Sequence, residues 1–177
     1  MLVNGKQRIL VKRAVATDAE HLTALVRDSD AYRGEYADVL RDYEVTTDYI
    51  DRHQVFVALG SGEGEGEGAD EGEGEGPGKG EGAGGADRLL GAYGLILDPP
   101  ELDLLFVAND AQGLGIGRHL VDHMMGQARL SGMTAVRVVS HPPAESFYLR
   151  MGARRIGTLP ARPPLVTWDR PELQFTV

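Results

Sequence analysis

Apolar positions along the chain follow two rhythms. Ile9, Leu10 and Val11 make residues 8–14 a strand. Ala19, Leu22, Leu25 and Val26 then recur at helical spacing behind Thr17 or Asp18, whose short side-chain oxygens suit a helix cap. A second helix is expected within 33–50, where Tyr36, Val39, Leu40 and Tyr43 would share a face. Residues 54–59 form a strand in which Val55, Val57 and Leu59 alternate with Phe56 and Ala58. Residues 89–97 form another, interrupted by Gly91 and Gly94, and after Asp98-Pro99-Pro100 a third covers 101–108. Adjacent runs joined by a tight turn predict an antiparallel meander.

The order then changes. Residues 117–130 read as a helix with Leu120, Val121, Met124 and Ala128 inward and Gly132 at its end. Residues 135–140 are a strand, and a strand, helix and strand in succession predict a parallel crossover. Residues 144–151 make a short helix bringing Phe147, Tyr148 and Met151 together, and 154–177 hold two further strands around Pro160, Pro163 and Pro164. The expected fold is an α/β domain with a mixed sheet, one domain over residues 1–177, interrupted by an insertion at 61–87.

Composition explains that insertion. Gly62-Glu63-Gly64-Glu65-Gly66-Glu67-Gly68, resumed at 71–76, offers nothing apolar to bury, so 61–85 is expected to be a disordered surface loop. Of the formal charge of −9, residues 61–87 carry −8, leaving the body near −1. A near-neutral body gives no electrostatic reason to expect nucleic acid as a partner. The chain has no cysteine, which removes disulfides, thiolate metal sites and a cysteine nucleophile. No apolar run approaches bilayer length, and residues 1–10 lack the apolar centre of a signal peptide, so no membrane partner and a cytoplasmic location are expected.

The chemistry concentrates between the third meander strand and the long helix. In Asn109-Asp110-Ala111-Gln112-Gly113-Leu114-Gly115-Ile116-Gly117-Arg118, glycines at alternate positions let backbone approach a ligand, and the following helix offers unpaired amides. That combination suits a pyrophosphate. It is not a dinucleotide fingerprint, because Arg118 stands where the third glycine would fall, and no Lys-Ser/Thr pair follows to make a P-loop.

The segment resembles motif A of the GNAT acetyltransferase superfamily, Gln/Arg-x-x-Gly-x-Gly/Ala, with Gln112, Gly115 and Gly117 at its fixed positions. Ala144-Glu145-Ser146-Phe147-Tyr148-Leu149-Arg150-Met151-Gly152 resembles the family's motif B, Ala-x-x-Phe-Tyr-x-x-x-Gly. The resemblance implies a GNAT fold, with splayed parallel strands behind the meander and flanking helices. It also implies an N-acetyltransferase that uses acetyl-CoA as co-substrate, no metal, and an amine acceptor on a small molecule or peptide. Pyrophosphate would be held by amides of Gly113, Leu114, Gly115, Ile116, Gly117 and Arg118, with Gln112. The pantetheine arm would pair with Phe106 and Val107, and Ser140 and Phe147 would complete the cofactor site. A bulge commonly splays the strand before motif A, and its freed amide can stabilise an oxyanion.

In this family the motif B tyrosine often protonates the leaving thiolate, which points to Tyr148; the alternative is core packing beside Phe147. For the base, Glu101 and Asp103 are two apart on a strand and so share a face, with Leu102 and Leu104 pointing the other way; the alternative is an exposed strand edge. Glu101 also falls where the histone-acetylating branch carries its base. His141 stands where many relatives have asparagine, as a proton relay or part of a turn with Pro142 and Pro143. His119 and His123 have zinc spacing, yet without a third ligand they read as a solvated helix face. Tyr32, Tyr36, Tyr43 and Tyr49, with Glu35, Asp38 and Asp42, suggest an aromatic, acidic wall for a cationic amine. Two rival functions remain at this stage, an acyl-CoA sensor without catalysis and a binding module driven by the acidic loop. The acceptor and a homodimer stay open.

Overall fold

The computed structural model describes residues 8–60 and 87–177, apart from the side chains of Glu35 and Ala37. The expected disorder of 61–85 lies outside the described residues. Seven strands form one sheet in the order β1-β2-β3-β4-β5-β7-β6, where β1 is Ile9–Arg13, β2 Gln54–Gly60, β3 Arg88–Leu97, β4 Pro100–Val107, β5 Ala135–Val139, β6 Arg154–Leu159 and β7 Arg170–Thr176. The first four make the antiparallel meander, and β5 joins β4 in parallel. Helices α1 (Ala19–Arg27) and α2 (Thr47–Arg52) precede β2; α3 (Ile116–Leu130) provides the crossover, and α4 (Glu145–Arg150) follows β5. Among the described residues no helix is long and apolar enough to cross a membrane.

Two apolar layers sandwich the sheet. On one face Tyr93, Leu95, Leu102, Val136 and Val138 pack against Leu120, Val121 and Met124 of α3 and Tyr148 of α4. On the other, Val55, Val57, Ala92 and Leu104 pack against Leu22 and Val26 of α1 and Ile50 of α2. The two glycines of β3 answer to close approaches. A Cβ at Gly91 would stand 2.7 Å from the Phe106 carbonyl oxygen, and one at Gly94 would stand 2.4 Å from the Tyr49 hydroxyl.

Three expectations are corrected. The single helix expected within 33–50 is a 3₁₀ turn, Gly34–Leu40, followed by the separate α2, which Thr46 caps by accepting from the Tyr49 amide at 3.1 Å. Asp18 does not cap the first turn of α1 with its side chain; its Oδ2 accepts from the Val15 amide at 2.9 Å, before the helix. The third concerns β4. Gly94 pairs with Leu104 but Leu95 pairs with Leu102, so Asp103 has no partner on β3 and forms a bulge. The bulge reverses the alternation behind it. Leu102 joins the α3 layer while Leu104 joins the α1 layer, instead of pointing together.

Candidate active site

The parallel pairing of β4 with β5 is limited to a single register pair, Glu101 opposite Arg137. Beyond it the strands separate, on the bulged side of β4. An ionic clasp holds the joined end: Arg137 donates from Nη1 to Glu101 at 2.6 Å and from Nε to Glu172 of β7 at 2.5 Å. All three side chains are at least two-thirds buried, so the clasp fastens β4, β5 and β7 where the slot begins.

The opened end is a cavity of about 650 Å³. Leu105, Phe106 and Val107 form its β4 wall. Gln112, Gly113, Gly115, Ile116, Gly117 and Arg118 form its floor, and His141, Pro143, Ala144, Phe147 and Arg150 the wall beyond β5. Ser29 and Ala31, between α1 and the 3₁₀ turn, roof it. A larger groove, about 770 Å³, runs between α1 and residues 44–47, away from both motifs.

The three glycines do different jobs. Gly113 and Gly115 have φ of +78° and +84°, a left-handed conformation costly for other residues, and Gly115 precedes the first turn of α3. The His119 amide donates to the Gly115 carbonyl at 3.1 Å, so the amides of Ile116, Gly117 and Arg118 precede the helical ladder and remain available. Gly117 instead makes room: its Cβ would stand 3.1 Å from the Phe147 ring. Arg118 and Arg150 bring cationic charge to this end. Arg150 was legible only as a helical neighbour of Phe147.

Most residues expected to hold a cofactor therefore line one cavity. Two do not. Leu114 is exposed to solvent rather than lining it. Ser140 is buried, its hydroxyl donating to the His141 carbonyl at 2.8 Å and its amide to Pro171 at 2.9 Å, so it shapes the strand end from behind.

Tyr148 is buried in the α3 layer, edge-on to Phe147 at 5.2 Å and to Phe175 at 6.5 Å, and does not line the cavity itself. Burial, with Tyr32 nearby, raises its phenol well above the ordinary tyrosine range, so the proton is firmly held. Tyr32 belongs to the opposite layer, stacked on His141 at 4.0 Å and on Phe106 at 6.0 Å, and burial pushes it up to about 12.

The carboxylate pair divides its labour. Glu101 is committed to Arg137. Asp103, at the bulge, is exposed and accepts from the Tyr49 hydroxyl at 2.7 Å. Burial and the Asp103 charge raise the Tyr49 phenol far above its usual value. Burial and Asp103 push Tyr43 up to about 12. Of the expected acidic wall, the Glu35 side chain lies outside those described, and Asp42 is exposed. Asp38 is largely exposed and pairs with Arg41 in solvent, while Asp103, Glu101 and Glu172 line the sheet face under the tyrosines. Tyr36 meets Trp168 edge-on at 4.6 Å and His141 at 5.9 Å, carrying the aromatic wall to the β6–β7 connection.

The histidines also depart from expectation. His141 is buried; its Nε2–H donates to the Ala31 carbonyl at 2.9 Å, and burial lowers its pKa, so it is neutral at pH 7. His123 does not lie on a solvated face. It meets Phe56 edge-on at 4.8 Å, and its Nδ1 is hydrogen-bonded to the Tyr93 hydroxyl at 2.8 Å.

Residues 82–160 match the family model for the acetyltransferase (GNAT) domain, a span containing β4, the glycine loop, α3, β5 and α4. Over that span the chain is similar to the GNAT acetyltransferases. Its GNAT fold is shared with a GCN5-related N-acetyltransferase from Rhodopseudomonas palustris (TM-score 0.70, 16% identity, covering 100% of this chain and 99% of that one). The PaiA N-acetyltransferase from Thermoplasma acidophilum, solved in complex with coenzyme A, is similar at TM-score 0.64 and 17% identity, covering 96% of this chain and 99% of that one. An IAA acetyltransferase from Bacillus cereus is similar at TM-score 0.57 and 17% identity, covering 96% and 100%. No curated protein matches the chain. The GNAT fold contains both the splayed strands and the glycine loop, and the model matched over residues 82–160 is that of an acetyltransferase domain.

Proposed function

We propose that the protein transfers the acetyl group of acetyl-CoA to a primary amine by direct attack in a ternary complex. The observation that carries this reading is the 650 Å³ cavity opened by a β4–β5 pairing of one residue pair, bounded by free helix amides and two arginines at one end. Pyrophosphate would rest on the amides of Ile116, Gly117 and Arg118, with Arg118 and Arg150 offsetting its charge. The pantetheine arm would lie along Phe106 and Val107 and bring the thioester toward the bulge at Asp103.

The acceptor approaches from the α1 face. Asp103 is the carboxylate free to take a proton from the ammonium, directly or through water, and Tyr49 fixes its orientation. Glu101 acts instead as the anchor of the Arg137 clasp. The amine nitrogen forms the new C–N bond and the C–S bond breaks; the departing thiolate takes the Tyr148 proton, and the second proton, shed by the acetylated nitrogen, passes through water to restore the phenol. Carboxylates of Asp103, Glu101 and Glu172 outnumber Arg137 beneath a wall of tyrosines, which favours a cationic acceptor.

Acetyl-CoA consumption, followed with a thiol reagent against polyamines, amino acids, aminoglycosides and peptide amino termini, tests the reading. Turnover with one cationic class, lost in Asp103→Asn, is expected. Tight CoA binding with no turnover on any amine would move the protein to the sensor reading.

A further inference from the structure

One side chain outside both motifs joins the roof of the cavity to its floor. Asn109 stands between β4 and the glycine loop. Its Oδ1 accepts from the Asp30 amide at 2.9 Å, and its Nδ2 donates to the Asp28 carbonyl at 2.8 Å. The same Oδ1 accepts a longer bond, 3.4 Å, from Nε2 of Gln112, the first fixed residue of the cofactor loop. Two backbone groups some eighty positions earlier in the chain are therefore bound to one amide side chain, which also touches the pyrophosphate loop.

The segment so held, residues 28–32, leads from α1 into the acceptor wall. Ser29 is buried and its hydroxyl accepts from the Ala31 amide at 3.2 Å. The Ala31 carbonyl accepts from His141 at 2.9 Å, and Tyr32 stacks on the His141 ring. The strap thus has two moorings, Asn109 at the cofactor loop and His141 beyond β5, and Tyr32 lies at its acceptor end. Asn109 is exposed and packs into neither apolar layer, so its side chain serves these bonds rather than the core.

We infer that Asn109 is a positioning residue that couples the cofactor loop to the acceptor strap, so that coenzyme A bound on the loop holds residues 28–32, and with them Tyr32, in the reactive arrangement. The inference rests on the proposed acetyl-CoA reading of the cavity. Asparagine suits the task because its amide can accept and donate at once, matching one backbone N–H and one C=O. Alanine would remove every mooring at this end; aspartate would keep the acceptor for Asp30 and Gln112 and lose the donor to Asp28.

Hydrogen exchange on the full chain, with and without saturating coenzyme A, tests this without needing the acceptor. In the wild type, coenzyme A should slow exchange in 28–32 by about tenfold, the scale of one to two net hydrogen bonds. In Asn109→Ala that added protection should vanish while residues 112–118 remain protected by the ligand. Asn109→Asp should recover part of it. Because coupling is reciprocal, Asn109→Ala should also weaken coenzyme A by up to the same factor in calorimetry. Equal ligand protection of 28–32 in Asn109→Ala would overturn the inference, since Ser29 and Ala31 would then be shielded by direct contact. A strap that ignores bound coenzyme A in the wild type would overturn it as well. No calorimetric binding of coenzyme A to the wild type would instead bring down the underlying reading, and the coupling with it.

Discussion

Replacing Arg137 by methionine, which keeps an unbranched apolar stem and removes the guanidinium, isolates the work of the clasp. In the wild type its guanidinium serves Glu101 and Glu172 at 2.6 and 2.5 Å, with the three side chains 33%, 19% and 24% exposed. Removing the cation leaves two carboxylates facing each other in a site that is mostly dry. Breaking a fully buried pair typically costs about 3 to 5 kcal/mol. The residual exposure lets water screen the carboxylates, so about 2 kcal/mol is the expected loss. For a chain of this size that lowers Tm by about 4 to 8 °C. Glu101 opposite Arg137 is also the single β4–β5 register pair, so the slot should gape and acetyl-CoA should bind more weakly than the stability loss alone implies. Differential scanning calorimetry and isothermal titration on the same preparation give both numbers. Arg137→Met combined with Glu101→Gln and Glu172→Gln, which removes all three charges, should regain much of the Tm. A single variant within about 0.5 kcal/mol of wild type, the usual range of surface changes, would refute the reasoning.

Tyr148→Phe keeps the packed ring and loses only the proton, so acetyl-CoA affinity should hold while kcat falls roughly a hundredfold, the typical contribution of a general acid; kcat within twofold of wild type, with chemistry limiting, would leave Tyr148 as core packing. Burial and the neighbouring His119 lower the His123 pKa below its ordinary value near 6.5. The unfolded chain then takes up a proton before the native one does, so this stability is present above about pH 6.5 and lost as pH falls through the lowered native value. Tm should therefore decline on acidification from pH 7 to 5, and His123→Phe should flatten that decline while forfeiting the bond to Tyr93; an unchanged slope would remove His123 from the account.

The sequence made local features legible and long-range ones not. The glycine loop, α3 and the Phe147–Tyr148 helix are short-range patterns, and each lies within a residue or two of its expected bounds. Residues 34–40 carried helical spacing but form a 3₁₀ turn against the aromatic wall, and Thr46 begins a separate helix. The bulge at Asp103 was implied only by family resemblance, since nothing in Glu101-Leu102-Asp103-Leu104 marks a slipped register. Glu101 read as a candidate base because its partner Arg137 is 36 positions away. His123 read as solvated because α3 alone does not reveal that Phe56 and Tyr93 stand opposite it. Asn109 carried no signal at all, as its partners are backbone groups of a distant turn.

The claim on which everything else depends is that the glycine loop between β4 and α3 accepts the pyrophosphate of acetyl-CoA. Isothermal titration of coenzyme A into the wild type and into Gly115→Glu tests it most directly, with circular dichroism showing that each is folded. At Gly115, with φ of +84°, a side chain costs about 1 to 2 kcal/mol of strain, tolerable for a folded domain, and glutamate adds a negative charge at the helix start. The account predicts saturable binding of one coenzyme A per wild-type chain and none to the folded variant. Undiminished affinity in folded Gly115→Glu, or no binding to the wild type, would contradict it.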